Sequence, residues 1–155
     1  MRSRCRFGQS LIEVIVSVGI AVILAIALIS AGLISNKTAR SARNNTQATK
    51  LAEQAVEQIR VFRDRQGFSA LSSIGNGNCF VLDTSSPDPA AWSLASGCPE
   101  VINLDNVNFS RNFEVADTSP ADVNKKLITV VVSWPESGGN QTVTSQTILS
   151  LWSAP

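Results

Sequence analysis

Residues 8–34 read GQSLIEVIVSVGIAVILAIALISAGLI, and this stretch decides the architecture of the chain. The 24 residues from Leu11 to Ile34 carry one charged side chain, Glu13. A helix of about 20 apolar residues crosses a bilayer, whereas the apolar region of a secretory signal has only about 7 to 15 residues and ends at a small-residue cleavage site. The stretch therefore predicts a membrane-spanning helix.

The segment before this helix, residues 1–8, is short, polar and basic. Its positive charges are Arg2, Arg4 and Arg6. Because basic residues that flank a membrane helix favour the cytoplasmic side, we expect a cytoplasmic N-terminus and the bulk of the chain on the far side of the membrane.

The distribution of charge gives no support for a nucleic-acid partner. The formal net charge is +1, and outside the basic N-terminal segment the acidic residues outnumber the basic ones. Nucleic acid is therefore not indicated as a partner.

A small basic cluster follows the apolar stretch: Lys37, Arg40 and Arg43. It either contacts lipid head groups or simply ends the hydrophobic segment.

The helix is expected to continue beyond the apolar stretch, because residues 39–65 contain no proline or glycine. Apolar residues recur there at steps of three and four and form one stripe: Ala48, Leu51, Ala52, Ala55, Val56, Ile59 and Phe62. Gly67 is expected to end the helix. The sequence thus predicts one helix that is apolar all round over residues 9–35 and amphipathic over residues 36–66.

The C-terminal third predicts a small antiparallel sheet. Residues 107–115 alternate between apolar and polar, and residues 127–134 are apolar and β-branched. A turn at 137–140 then leads into a returning strand over 142–152. One face of this sheet is expected to cover the amphipathic half of the helix, so the predicted fold class is α+β.

We place a globular, β-rich head at residues 67–155, of which residues 69–106 are expected to be rich in loops. Three prolines discourage long elements there: Pro87, Pro89 and Pro99. Cys79 and Cys98 flank part of this loop region. Outside the cytoplasm they are expected to form a disulfide that contributes about 3 kcal/mol, and the alternative is two free thiols.

Other conspicuous side chains have a structural and a functional interpretation. Arg111 interrupts the apolar face of the first long strand, and we expect it to snorkel or to pair with a carboxylate rather than to recognise a ligand. Packing in or beside the core is likewise expected for the large aromatics Trp92, Trp134 and Trp152. Gly19 and Gly32 in the apolar helix would permit close helix contacts without forming a small-xxx-small motif.

Glu13 is the residue that most needs an explanation. A carboxylate deep in an apolar segment costs about 2.5 to 3.5 kcal/mol on insertion, and no basic residue follows it until Lys37. In a bundle of similar helices it would require a positive group from a neighbour. A newly exposed N-terminal amine would serve.

The segment Gly8-Gln9-Ser10-Leu11-Ile12-Glu13, between a basic leader and a long apolar helix, resembles the processing site of type IV prepilins and type II secretion pseudoprepilins. The resemblance implies that a prepilin peptidase cuts after Gly8 and methylates the new amine of Gln9. It also implies that Glu13 pairs with the N-terminal amine of an adjacent subunit. Filament-core packing would then come from Leu11, Ile12, Val14 and Val16.

The motif covers about residues 7–33, and the remainder resembles this family in its pilin-like plan of a long helix, a sheet and a disulfide-bounded loop. Gln9 stands where many major pilins have phenylalanine, and Ser30 and Gly32 stand in the region of their mid-helix proline. The chain therefore looks more like minor pilins of the PilV type or I-type minor pseudopilins.

The resemblance also implies a set of partners. They are the prepilin peptidase, other pilin or pseudopilin subunits, an inner-membrane assembly platform and, before assembly, membrane lipid. The implied location is the inner membrane of a bacterium, followed by an extracytoplasmic filament in the periplasm or at the cell surface. No cofactor is implied.

Two other classes of function compete with a filament subunit. One is a single-pass membrane protein with an extracytoplasmic binding domain, an uncut leader and an incidental Glu13. The other is an enzyme, which is disfavoured because the chain has no histidine, no tyrosine and no G-x-S-x-G motif. The spacing of the cysteines suits no metal site.

Overall fold

The computed structural model describes residues 7–72, 74–75, 77–95, 97–118 and 124–151, with side chains described from Leu11 onward. The chain divides into two compact units, Met1–Arg43 and Asn44–Pro155. Helix α1, Phe7–Gln66, runs from the first unit into the second. The described part of the first unit consists of this helix alone.

In the second unit, α1 presents the predicted apolar stripe to the protein interior, and all seven of its residues from Ala48 to Phe62 are buried. The helix ends at Gln66 because Gly67 adopts a left-handed conformation with φ of 84°. The Gly67 N–H donates to the carbonyl oxygen of Arg63 at 2.8 Å, which is a typical helix C-cap. A short helix, α2, Phe68–Ser72, follows.

All strand pairs of the second unit are antiparallel. The strands are β1 Cys79–Asp83, β2 Ser93–Ala95, β3 Glu100–Leu104, β4 Val107–Asp117, β5 Lys125–Glu136 and β6 Gly139–Ser150. Their order is β2-β1-β4-β5-β6, and β3 pairs with β4 outside this order. Both β1 and β3 therefore lie on the side of β4 that faces away from β5.

The core lies between the second half of α1 and the inner face of the sheet. Phe80 stacks on Phe113 with ring centroids 5.3 Å apart, and Phe109 lies 5.8 Å from Trp134. The alternate residues of β5 complete this layer, and all four are buried: Ile128, Val130, Val132 and Trp134. The prediction of a long helix packed on one face of a small antiparallel sheet is confirmed.

The three long strands occur where the sequence predicts them, but their bounds are wider, since β4 ends at Asp117 and β5 runs from Lys125 to Glu136. β6 begins at Gly139 rather than Thr142, because Glu136 pairs directly with Gly139 across a two-residue turn, Ser137–Gly138. Residue 152, at the predicted end of this strand, lies outside the described residues.

The prediction of a loop-rich region at 69–106 is wrong in part, because α2, β1, β2 and β3 all lie there. The strands have only three to five residues, so apolar alternation is too short to be seen in the sequence. Pairing of β1 and β3 with β4, pairing of β2 with β1 and the Cys79–Cys98 disulfide hold these strands in place instead.

Candidate functional site

The N-terminal segment is the first candidate site. α1 begins at Phe7, so the bond between Gly8 and Gln9 lies in its first turn, while the side chains of residues 7–10 are outside the described part. Cleavage after Gly8 stays a prediction. Glu13 is exposed, and its carboxylate makes no hydrogen bond or ion pair with any described residue.

Apolar side chains cover every side of α1 around and beyond Glu13. The large apolar residues from Leu11 to Ile34 are each between 52 and 73% exposed. They include the four residues predicted to pack in a filament core, Leu11, Ile12, Val14 and Val16. Soluble monomers rarely expose a continuous apolar surface of this extent. The surface therefore requires an apolar partner, either lipid or protein.

This helix is long and apolar enough to cross a membrane. Its most apolar 18-residue window has a mean hydropathy of 2.9 and no buried residue. At 1.5 Å per residue, residues 11–34 extend about 36 Å, which exceeds the roughly 30 Å hydrocarbon core of a bilayer. Length and composition are thus compatible with a single membrane anchor.

Both hydroxyl groups between Leu11 and Ile34 are hydrogen-bonded within the helix. Ser17 Oγ donates to the carbonyl oxygen of Glu13 at 2.7 Å, and Ser30 Oγ donates to that of Ile26 at 2.9 Å. An unpaired hydroxyl is costly in an apolar medium, so these internal bonds lower the cost of surrounding the helix with lipid or with other helices. The carboxylate of Glu13 makes no hydrogen bond of this kind with a described residue.

Gly19 and Gly32 leave open space beside the helix. A side chain added at either position would meet nothing within 4 Å. Each glycine therefore provides a place where a second helix could approach the backbone closely.

The second candidate region is the disulfide-bounded part of the head. Cys79 and Cys98 form a disulfide with a Cα–Cα distance of 6.1 Å, so the prediction of a bond rather than two free thiols is confirmed. The bond joins the start of β1 to the residue two positions before β3. It therefore closes the segment that contains β2, and the strands at both ends of this segment, β1 and β3, pair with β4.

The turn within this segment is held by specific hydrogen bonds. Trp92 Nε1 donates to the carbonyl oxygen of Ser86 at 2.8 Å, and Gln66 Nε2 donates to that of Ala90 at 2.5 Å, which ties the turn to the end of α1. The Ser85 N–H donates to Asp83 Oδ1 at 2.9 Å, and this bond lowers the pKa of Asp83. Trp92 is half-buried against the core, in agreement with a packing role.

The charged and aromatic residues of the sheet also serve packing. Arg111 is buried and donates through Nε and Nη2 to Glu100 Oε2 at 3.0 and 2.7 Å, which confirms the expected carboxylate partner. Trp134 is buried, and Trp152 lies outside the described residues. Where side chains are described, no group of three or more histidine, cysteine, aspartate and glutamate residues could hold a metal ion.

Sequence reasoning missed the polar contacts that attach the head to α1. Glu136 Oε1 accepts from Trp134 Nε1 at 3.0 Å and from Asn44 Nδ2 at 3.4 Å. Gln47 Nε2 donates to Asp105 Oδ2 at 2.6 Å in the turn between β3 and β4. The pairs Gln47–Asp105 and Asn44–Glu136, which join the head to α1, are separated by 58 and 92 residues in the chain, so no local pattern signals them.

Fold and site together define a class: an α+β protein whose N-terminal helix has an uncovered apolar first half and a second half packed on a small antiparallel sheet. Comparison of the chain with protein-family models, with curated proteins and with solved structures finds no match in any of the three.

Proposed function

We propose that this chain is a structural subunit, of the minor kind, in a type IV pilus or a type II secretion pseudopilus. The observation that carries the proposal is the exposed apolar surface of residues 11–34, which contains one carboxylate, Glu13. A lipid anchor alone accounts for the apolar surface. It does not account for a carboxylate near the start of the helix, which a filament with neighbouring amines does.

The proposed mechanism is physical rather than catalytic. A prepilin peptidase removes residues 1–8, and Gln9 becomes the N-terminus. The subunit then leaves the bilayer, and residues 11–34 exchange lipid contacts for contacts with other helices. During this exchange Glu13 pairs with the amine of an adjacent subunit. The attraction is strong because the surroundings are apolar.

The head remains folded during this transfer in the proposed scheme. Its core is built from α1 residues 44–66 and the sheet, and the disulfide lies within the same unit. The role of the head is to present a surface outside the filament core. The machine that contains the filament decides whether that surface serves adhesion, uptake or secretion.

Substitution of Glu13 tests the proposal. Glu13→Ala should enter the membrane as well as the wild type, because it removes a charge from an apolar segment. Its incorporation into filaments should fall by tenfold or more, since the neighbour's amine loses its partner. Glu53→Ala, an exposed carboxylate farther along the same helix, is the matched control and should incorporate normally. Normal incorporation of Glu13→Ala would favour the anchored binding protein.

A further inference from the structure

Strand β6 forms a long and unprotected edge of the sheet. It pairs with β5 over twelve residues in one continuous register, and within the described residues nothing pairs with its other side. Its sequence, GNQTVTSQTILS, contains no charged residue and no proline. Proteins usually protect a long edge with such residues or with a bulge, because unpaired backbone groups recruit another strand.

The backbone groups that point outward from β6 can be assigned. The two-residue turn makes Glu136 and Gly139 a hydrogen-bonded pair, so odd-numbered residues of β6 bond to β5. Leu151 continues this alternation, since its N–H donates to the carbonyl oxygen of Asn124, the residue before β5, at 2.8 Å. The even-numbered residues from Asn140 to Ser150 therefore direct their N–H and C=O groups to the open edge, and their side chains are exposed.

Strand β3 is an open edge on the opposite side of the sheet. Among the described residues it pairs with β4 alone, through a two-residue turn at Asp105 and Asn106 with φ of 52 and 63°. Leu104 and Val107 form the hydrogen-bonded pair that closes this turn, so Ile102 and Glu100 also bond to β4. Val101 and Asn103 consequently direct their backbone groups outward.

These two edges complement each other in direction. β3 is antiparallel to β4, β4 to β5 and β5 to β6, so β3 and β6 run in opposite directions within one head. A second copy in the same orientation, placed beside the first, brings its β3 antiparallel to β6. The second half of α1 then points the same way in both copies, whereas a two-fold pairing of β6 with β6 in one continuous sheet would reverse it.

Exposed apolar side chains select the register. In the sheet, the exposed large apolar residues are Val101 on β3 and Ile148 on β6, at 62 and 59%. Both direct their backbone groups to an open edge and lie on the outer face. Placing Ile148 opposite Val101 of the next copy also places Gln146 opposite Asn103. Asn103 Nδ2 donates to Asn108 and Gln146 Nε2 donates to Thr129 within one copy, and the second Nε2–H of Gln146 can donate to Asn103 Oδ1 of the next copy.

We propose that the heads associate head to tail, β6 of one copy pairing with β3 of a second copy of this chain, with Ile148 opposite Val101 and Gln146 opposite Asn103. A pairing of this kind is heterologous and repeats from copy to copy. It goes beyond the proposed function, because it names a contact between heads that requires neither leader cleavage nor Glu13.

Cysteine cross-linking of the full chain in its membrane tests the pairing, with Cys5 replaced by serine in every variant. Asn103→Cys/Gln146→Cys should give a ladder of dimers, trimers and higher species under mild oxidation, because each copy has both halves of the contact. Each single variant should remain monomeric. The off-register control, Asn103→Cys/Thr142→Cys, should cross-link at least tenfold less.

Charged substitutions at Val101 and Ile148, made in the Asn103→Cys/Gln146→Cys chain, give a second test of the pairing. Val101→Lys/Ile148→Lys should abolish the ladder through like-charge repulsion, and Val101→Lys/Ile148→Glu should restore it. Both residues are exposed, so the head should keep its stability. Dimers from Gln146→Cys alone would overturn the proposal in favour of a two-fold contact, and a missing ladder would overturn it outright. Normal leader processing in either case would leave the filament proposal standing.

Discussion

The two halves of α1 belong to one helix and yet depend on different partners. Residues 11–34 are apolar on every side and exposed, whereas residues 44–66 bury one stripe against the sheet and expose charges elsewhere. Helix formation is common to both halves. The pattern of apolar residues around a helix, rather than its helicity, therefore indicates whether the surface that covers these residues belongs to the same chain.

The largest effect should come from one substitution made in each half. Ile59→Ala should lower the free energy of unfolding of the head by about 2 to 5 kcal/mol, because Ile59 is fully buried and the change leaves a cavity. Ile23→Ala should leave this free energy unchanged, since Ile23 is 67% exposed. Unfolding of the detergent-solubilised chain, followed by the fluorescence of Trp92 and Trp134, measures both. Equal effects would contradict the division of the helix.

Loss of the disulfide should also act on the head alone. Cys79→Ser/Cys98→Ser should reduce its stability by about 3 kcal/mol, because a loop of 19 residues is no longer closed in the unfolded state. Helix content in residues 11–34 should not change. Chemical denaturation and circular dichroism separate the two results, and loss of helix in the anchor segment would show that the halves are coupled.

Loss of charge should have different effects at Glu100 in the head and at Glu13 in the apolar part of α1. Glu100→Gln should lower the free energy of unfolding of the head by about 2 kcal/mol, because Arg111 is 3% exposed and loses its anionic partner, while the glutamine oxygen can accept only a weaker hydrogen bond from it. Glu13→Gln should leave head unfolding unchanged and impair filament incorporation. Thermal melts and incorporation assays on both variants provide the test, and a destabilised head in Glu13→Gln would show that residues 11–34 contribute to the stability of the head.

The smallest effect concerns Asp83, whose pKa is lowered in the folded head chiefly by the backbone N–H of Ser85. A carboxyl with a lowered pKa stabilises the fold above its unfolded pKa, and this contribution disappears as the pH falls through the folded pKa. An NMR titration should show Asp83 ionising below its ordinary range in the folded chain and within it in urea. Identical midpoints would contradict the hydrogen bond.

Much of this architecture could be predicted from periodicity. The seven-residue stripe of α1 and the alternation in β4 and β5 extend over enough residues to define a buried face, and Gly67 marks the end of the helix by its backbone freedom. Strands β1, β2 and β3 could not be predicted, since each depends on pairing with a distant partner. The edge at β3 was missed for the same reason.

The candidate N-terminal site was defined almost entirely by sequence. Gly8, Gln9 and Glu13 stand out through a resemblance in spacing, and the structure adds that Glu13 is exposed and has no partner among the described residues. A partner in another molecule is beyond what one chain can reveal, because the amine that would satisfy Glu13 belongs to a neighbour.

The most direct test of the proposed function is the intact mass and N-terminal sequence of the chain expressed with and without a prepilin peptidase. The proposal predicts a mature chain that begins at methylated Gln9 when the peptidase is present, and a chain that keeps its leader when the peptidase is absent. A chain that still begins at Met1 beside an active peptidase would contradict the filament proposal and identify residues 11–34 as a permanent anchor.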